Sequence, residues 1–434
     1  MNAVHRAHRT SCGPSGVGRW GDAPRPFATA SAFLLLVGLA LACSGEQLPT
    51  EQEKVIPPPS DTAVYRDVSS THLPAVVRAP GQRSMEARAV DVDADGDLDL
   101  IVAREAQPNV LLLNDGQGRF ANASGRIPQA ALDSEDIAVG DFDRDGDPDV
   151  VIVTEDPVGG VRYNEYYLND GQGNFSDVHD RLPSTIESNA VAAGDIDNDG
   201  DLDLVVGDRG RERAMMNDGR GFFSDESATR LPAAPDDATQ DVTLGDVDRD
   251  GDLDLVVANE QGTNQLLLND GRGFFTPAPA GSLPLRQTRE ATRNADLGDV
   301  DGDGDLDLLF ANVSFGGGDP QGRLLLNDGR GVFSDVTSAR LAGMVVGAID
   351  ADLVDLDGDG DLDMVTAPFP AGPYRVYLHD GRGSFADATA RFFPPALIGQ
   401  GLEIEAADFD GDRRLDLYLA NFVESPDMLL LAQR

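Results

Sequence analysis

The chain has 434 residues, 41% of them hydrophobic, and carries a formal charge of −42. Charge of that sign repels phosphate backbones and anionic lipid surfaces, which excludes nucleic acid and a basic membrane-binding mode as partners. Disorder, the usual companion of such acidity, is excluded as well, because apolar runs such as LDLIVA and QLLLND recur along the chain.

The first 43 residues read as a leader. Arginines precede the run AFLLLVGLALAC (32–43), too short for a comfortable membrane span and typical of an export signal. Ala40-Leu41-Ala42 fits ordinary cleavage, whereas LALACSG resembles a bacterial lipoprotein box with Cys43 as the lipidated residue. The other cysteine, Cys12, lies in the leader, so Cys43 has no intrachain partner once the leader is removed. Localisation is expected to be exported, either lipid-anchored in a bacterial cell envelope or secreted. Residues 44–61, ending in IPPPSD, read as a polar, Pro-rich linker.

Residues 62–434 are built on a repeat. A nonapeptide recurs at 91, 141, 195, 246, 299, 355 and 408, always 50 to 56 residues after the last copy. Each copy follows a short strand rich in small and β-branched residues, such as DIAVG (136–140), and precedes a buried-strand run such as LDLIVA or PDVVIV. A third apolar run ends in a turn, as in LLLNDGQG (111–118), where Asn-Asp-Gly-x-Gly supplies the positive-φ positions of a hairpin. A fourth begins with an aromatic anchor: Phe120, Phe175, Phe223, Phe275, Phe333 or Phe385. Four short strands in meander order make a propeller blade, and seven copies predict an all-β, seven-bladed β-propeller. The segment VYRDVSS near residue 65 resembles a fourth strand with no unit before it, while the chain stops after a third strand, DMLLLAQ (427–433). The expectation is that the N-terminal strand completes the last blade and removes two exposed sheet edges.

The nonapeptides carry the chemistry. The spacing D-x-D-x-D-G-x-x-D offers side chains at positions 1, 3, 5 and 9 and a carbonyl at position 7, the oxygen set that Ca2+ takes. The candidate ligands are Asp91, Asp93, Asp95, Asp97 and Asp99 in the first loop, and Asp141, Asp143, Asp145, Asp147 and Asp149 in the second. They continue as Asp195, Asp197, Asp199, Asp201 and Asp203, then Asp246, Asp248, Asp250, Asp252 and Asp254. The fifth and sixth loops offer Asp299, Asp301, Asp303, Asp305 and Asp307, and Asp355, Asp357, Asp359, Asp361 and Asp363. The seventh offers Asp408, Asp410, Asp412 and Asp416, but has Arg413 in place of glycine and Arg414 at position 7, so it is expected to be the weakest. An EF-hand would need Glu at position 12; here that position is Val102, Ile152, Val206, Val257, Phe310, Thr366 or Leu419, inside the next strand. The cation's expected role is to staple a fold that has no disulfide.

The stretch GDxDxDGDLDLVVAN followed by LLLNDGxGxF resembles FG-GAP or VCBS repeats, the calcium-bearing blades of integrin α-subunit heads and of many secreted bacterial proteins. The resemblance covers roughly residues 63–434 and implies the same fold, with calcium in the first hairpin of each blade. It does not imply one activity, since the family includes adhesion receptors and repeats appended to enzymes.

The leading expectation is a non-catalytic, monomeric binding or adhesion propeller that recognises a glycan or extracellular protein. Recognition would use the loops opposite the metal hairpins: 154–166, 311–323 and 367–375 vary most in length and chemistry. Two basic groups there, Arg209, Arg211 and Arg213, and Arg286, Arg289 and Arg293, could grip an anionic sugar or a carboxylate. The alternative is a calcium-dependent lyase or hydrolase acting on polysaccharide, with Glu135, Glu187, Glu290, Glu403 and Glu405 at the channel mouth. No G-x-S-x-G, HExxH or cysteine nucleophile supports catalysis. His72, His179 and His379 fall in different repeats.

Overall fold

The computed structural model describes residues 64–161, 163–183, 187–233, 238–341, 343–423 and 425–433. The expected export signal, Cys43 and the linker at 44–61 lie outside the described residues. No helix among the described residues is long and apolar enough to cross a membrane.

The fold is all-β, built from repeated four-stranded antiparallel sheets. Five such sheets stand separately, and one eight-stranded sheet combines the first two repeats. The merger comes from the first repeat's second strand, Asp99–Pro108, which runs long enough to pair Glu105 with Asp133 of the next repeat. Within each repeat the first and second strands close in the same register. Val90 faces Asp99, Gly140 faces Asp149 and Gly194 faces Asp203, so the nonapeptide's first eight residues project as a hairpin loop. The position-12 residues lie inside the second strands, as their apolar character demands.

The opening strand behaves as its sequence suggested. Tyr65–Asp67 pairs antiparallel with Met428–Ala432, matching Tyr65 to Ala432 and Asp67 to Leu430. Tyr65 is 1% exposed, packs near Phe392 and Phe393 with ring centroids 6.2 and 5.9 Å away, and donates its hydroxyl to the Leu415 carbonyl at 2.8 Å.

Two features of the repeat lay beyond the sequence reading. One-turn helices follow most fourth strands, for example Ser69–His72, Ser227–Arg230, Thr337–Arg340 and Thr389–Phe392. Their cause is local: the last acid of the strand turns its carboxylate onto the amide two residues on, as Asp225 does for Ser227 at 3.0 Å and Asp335 for Thr337 at 3.0 Å. The Ser or Thr hydroxyl then accepts a third-strand amide, Ala214 to Ser227 and Leu324 to Thr337, each at 3.1 Å. The second feature is a bulge in every first strand, between Ser84 and Glu86, Thr239 and Asp241, Ala348 and Asp350, Gly401 and Glu403, and at the matching places in the others. A bulge re-aims the residue that follows it.

The core lies between neighbouring sheets. Val68, Phe120, Phe409, Tyr418 and Leu429 form one buried cluster that joins residues of the first repeat to residues of the last. Val92, Ile101, Ile127, Val150 and Tyr167 do the same for the first and second. First strands of all the repeats surround a cavity of about 530 Å³.

Candidate functional site

Each acidic loop is shaped by its own carboxylates. Asp91 accepts the amides of Asp95 and Gly96 at 3.2 and 3.0 Å, and Asp95 accepts that of Asp97 at 3.0 Å. Asp99, 1% exposed, accepts the Val92 amide at 3.2 Å and the Asn114 amide at 2.8 Å, so it ties the loop to the turn of the same repeat. The pattern repeats through the seventh loop, where Asp408 accepts Asp412 at 3.0 Å and Arg413 at 2.7 Å.

Position 3 is different. One carboxylate oxygen (Oδ1) of Asp93, Asp143, Asp197, Asp248, Asp301 and Asp410 is buried without a hydrogen-bond donor, at the same place in six loops. Around it, single oxygens of Asp91, Asp93 and Asp99 lie within 4.8 Å of one another, as do those of Asp141, Asp143 and Asp149, of Asp195, Asp197 and Asp199, and of Asp246, Asp248 and Asp250. Burial, reinforced by the neighbouring acid at position 5, raises the position-3 carboxyls above their ordinary range. Burial pushes position 9 further, to about 7 in Asp99, Asp149, Asp203, Asp254 and Asp416 and to about 6 in Asp307 and Asp363. An oxygen-only donor set with a buried, donorless carboxylate at its centre fits a hard divalent cation such as Ca2+.

Position 7 takes another part. The Asp97 carboxylate packs on the turn of its own repeat, so closely that a Cβ on Gly116 would lie 2.6 Å from it. Asp147, Asp201, Asp252, Asp305 and Asp361 do the same to Gly171, Gly219, Gly271, Gly329 and Gly381. Their side chains also meet the preceding loop: Asn198 donates to Asp252 at 2.9 Å, and Arg249 pairs with Asp305 at 2.5 Å. Those partners occupy position 4, which has positive φ throughout: Ala94, Arg144, Asn198 and Arg249 at 57° to 62°, then Gly302, Gly358 and Gly411 at 74° to 77°. Position 6 is left-handed as expected, including Arg413 at φ 68°. Arg414 is engaged by Asp412 and donates to the Ala432 carbonyl at 2.9 Å.

The turn asparagine does more than turn. Asn169, Asn217, Asn269 and Asn327 each donate their side-chain amide to the position-2 carbonyl of the preceding loop: Val92, Phe142 and Ile196 at 2.8 Å and Val247 at 2.7 Å. Asn114 donates in the same way to Phe409 of the seventh loop at 2.9 Å. Adjacent loops are therefore clamped through buried bonds. Replacing Asn269 by Ala leaves the Ile196 and Leu253 carbonyls without this donor and is expected to cost about 1–3 kcal/mol. Thermal melting checks this, and an unchanged midpoint would reduce Asn269 to a turn former. His379 holds the corresponding place in the sixth repeat, 5% exposed and 4.8 Å from Phe385 between ring centroids.

The basic groups are largely neutralised. Arg209 pairs with Glu155 at 2.7 Å, and Arg213 with Asp208 at 2.8 Å and Asp225 at 2.9 Å. Arg286 pairs with Asp319 at 3.2 Å, Arg293 with Glu260 at 2.8 Å, and Arg289 donates to the Gly316 carbonyl at 2.9 Å. Arg211 lies exposed at the start of its strand. The arginines serve their own loops rather than forming two open cationic grips, because acids on adjacent loops lie within reach.

The acids named with them also separate. Glu290 pairs with Arg323 at 3.0 Å, and Glu187 stands just before the strand Ser188–Gly194 at φ 62°. Glu135 and Glu403 line the central cavity, and Glu405 accepts the Ala89 amide at 2.8 Å. A second cavity, about 340 Å³, lies where the expected recognition loops 311–323 and 367–375 meet; its walls at Val346, Gly347 and Tyr377 were not legible from the sequence. Phe369, Pro370, Arg375 and Tyr377 line it, and Phe315 braces Phe369 edge-on with centroids 5.0 Å apart.

The FG-GAP-like repeat profile matches residues 91–152, 145–206, 195–257, 246–310, 299–366 and 355–419, each stretch running from one acidic loop into the strand after the next. Cartilage acidic protein 1 of Mus musculus is 25% identical over 383 residues, which is 79% of this chain and 58% of that protein. The human protein of that name is 24% identical over 381 residues, 79% of this chain and 57% of its own length. The chain thus spans under two thirds of these relatives. Among solved structures, YCF48 bound to D1 peptide aligns with a TM-score of 0.52 at 11% identity, over 87% of this chain and 97% of that one. With an acidic loop recurring in register across repeated four-stranded sheets, and a profile that follows those loops for most of its length, the chain belongs to the FG-GAP-like repeat family of β-propellers.

Proposed function

We propose that the protein is a calcium-stapled binding propeller: a closed ring of seven blades that holds a ligand on the face opposite its acidic loops, without catalysis. The observation that carries the scaffold reading is the buried, donorless position-3 oxygen found at one register in six loops. Ca2+ would sit among the carboxylates of positions 1, 3, 5 and 9 and the carbonyl of position 7, leaving the position-7 side chains to join neighbouring loops. Ring closure is supported by the Tyr65–Asp67 pairing and by the clamp from Asn114 to Phe409.

The seventh site is the weak one in this reading. A left-handed non-glycine residue costs about 1–2 kcal/mol, and Arg413 adopts that conformation beside a second cation. Arg413→Gly is therefore expected to raise the number of tightly bound calcium ions by one per chain, counted by titration calorimetry. An unchanged count would contradict the assignment.

The ligand is proposed to be a glycan or an extracellular protein, bound where Phe369, Arg375 and Tyr377 line the cavity between the fifth and sixth repeats. Aromatic faces beside a guanidinium suit a sugar ring or a protein side chain. YCF48, which is seen bound to D1 peptide, shares the fold. Glycan and protein-ligand arrays with calcium are expected to give a binder that the Phe369→Ala variant loses by at least tenfold. Released oligosaccharide products would overturn the non-catalytic reading, and retained binding in that variant would overturn the site.

A further inference from the structure

The central cavity has a chemistry of its own, separate from both the calcium loops and the ligand face proposed above. Its walls carry eight carboxylates and two arginines. One of the arginines, Arg293, is drawn aside by Glu260 at 2.8 Å. The other, Arg88, meets Glu86 and reaches Glu403 at 3.1 Å and Asp136 at 3.6 Å. The bulges of the first strands place several of these groups: Glu86, Asp241, Asn294, Asp350 and Glu403 each resume pairing after the bulge of their strand.

Several of these carboxylates spend one oxygen on the next strand. Asp241 accepts the Ala295 amide at 2.7 Å, Asp296 the Leu353 amide at 2.7 Å and Asp350 the Ile404 amide at 2.9 Å. Asp350 has an oxygen left over: the residue is 1% exposed and its Oδ1 has no hydrogen-bond partner, nor has the buried Oδ1 of Asn294 on the adjacent strand. Burial pushes the Asp241 carboxyl up to about 7 and the Asp350 carboxyl to about 8. A wall of acceptors with this shortage of donors calls for a cation that brings donors with it.

We propose that this cavity binds a small organic oligoamine, its ammonium groups donating to the carboxylates of several first strands at once. The volume favours an extended molecule over a single ion, since a water molecule occupies about 30 Å³. The acceptors also belong to separate strands around the cavity rather than to one loop. Each terminal ammonium brings three donors and each internal one two, and successive ammonium groups along a flexible chain can meet successive strands.

The test uses calcium-saturated full-length protein and spermidine as the probe, followed by titration calorimetry in about 0.15 M salt, where exposed charge is screened beyond about 8 Å. One spermidine per chain is expected to bind at submillimolar concentration. The double variant Asp241→Asn and Asp350→Asn keeps an acceptor for each backbone amide and is expected to weaken binding at least tenfold. If that variant does not fold, Asp352→Asn carries the same expectation. A surface variant away from the cavity and the acidic loops, Asp180→Asn, is expected to bind spermidine as the wild type does. Absence of binding, several weak sites that the cavity variants do not change, or stoichiometric displacement of spermidine by Mg2+ would overturn the proposal. Loss of the Phe369 ligand site would leave this result untouched, so the two readings fail separately.

Discussion

Withdrawing calcium with a chelator is expected to lower the melting temperature of the protein by about 4 to 13 °C. At a dissociation constant of about 10⁻⁴ to 10⁻³ M, ordinary for extracellular modules, millimolar calcium contributes roughly 0.4 to 1.4 kcal/mol per site. Seven independent loops would then sum to roughly 3 to 10 kcal/mol, comparable with the whole stability of a domain. An unfolding entropy of about 2.1 cal/mol/K per residue over the repeat region converts that sum to the stated shift. The structure gives a reason for an effect at the upper end. Without a cation, six buried position-3 oxygens have no donor, and their neighbours at positions 1, 5 and 9 repel them. Scanning calorimetry in millimolar calcium and in chelator checks the shift, and coincident melts would remove calcium from the account of stability.

The second large effect concerns Tyr65. Truncation to alanine is expected to cost about 3–5 kcal/mol, the usual range for a buried aromatic. Its ring is 1% exposed against Phe392 and Phe393, and its hydroxyl bonds to Leu415, so one side chain fastens the opening strand to the last two repeats. Tyr65→Phe keeps the ring and is expected to lose about 1 kcal/mol, the worth of one hydrogen bond. Because Met428–Ala432 would become a free edge when the opening strand detaches, the alanine variant is also expected to self-associate on a sizing column. A monomeric Tyr65→Ala protein with wild-type stability would show that this pairing contributes little.

Much of the scaffold was legible because it is written in short-range pattern. Strand runs, Asn-Asp-Gly turns and carboxylate spacing are local, and the repeat made each one visible several times over. The incomplete first unit even betrayed its distant partner. What escaped was contact between repeats. Asn269 looks like a turn residue until its amide is seen on Ile196, and no spacing shows that the Asp97 carboxylate packs against Gly116. Arg209 and Arg213 stood out as cations in an acidic chain, yet Glu155 and Asp208 already answer them. Position 4 was unreadable for a different reason. Ala94 and Arg144 hold a left-handed conformation that their side chains do not favour, because the surrounding loop bonds impose it. The bulges, too, leave no mark in composition.

The pairing of Tyr65–Asp67 with Met428–Ala432 also sets an order of events during biosynthesis. The opening strand leaves the ribosome early, while its mate is polymerised more than 360 residues later. Intermediate repeats can form as they emerge, but the last sheet must stay three-quarters built, or less, until residues 428–432 leave the ribosome. Completion therefore waits on the later-made strand, and a nascent chain stalled before residue 428 would present an unsatisfied strand to any chaperone within reach.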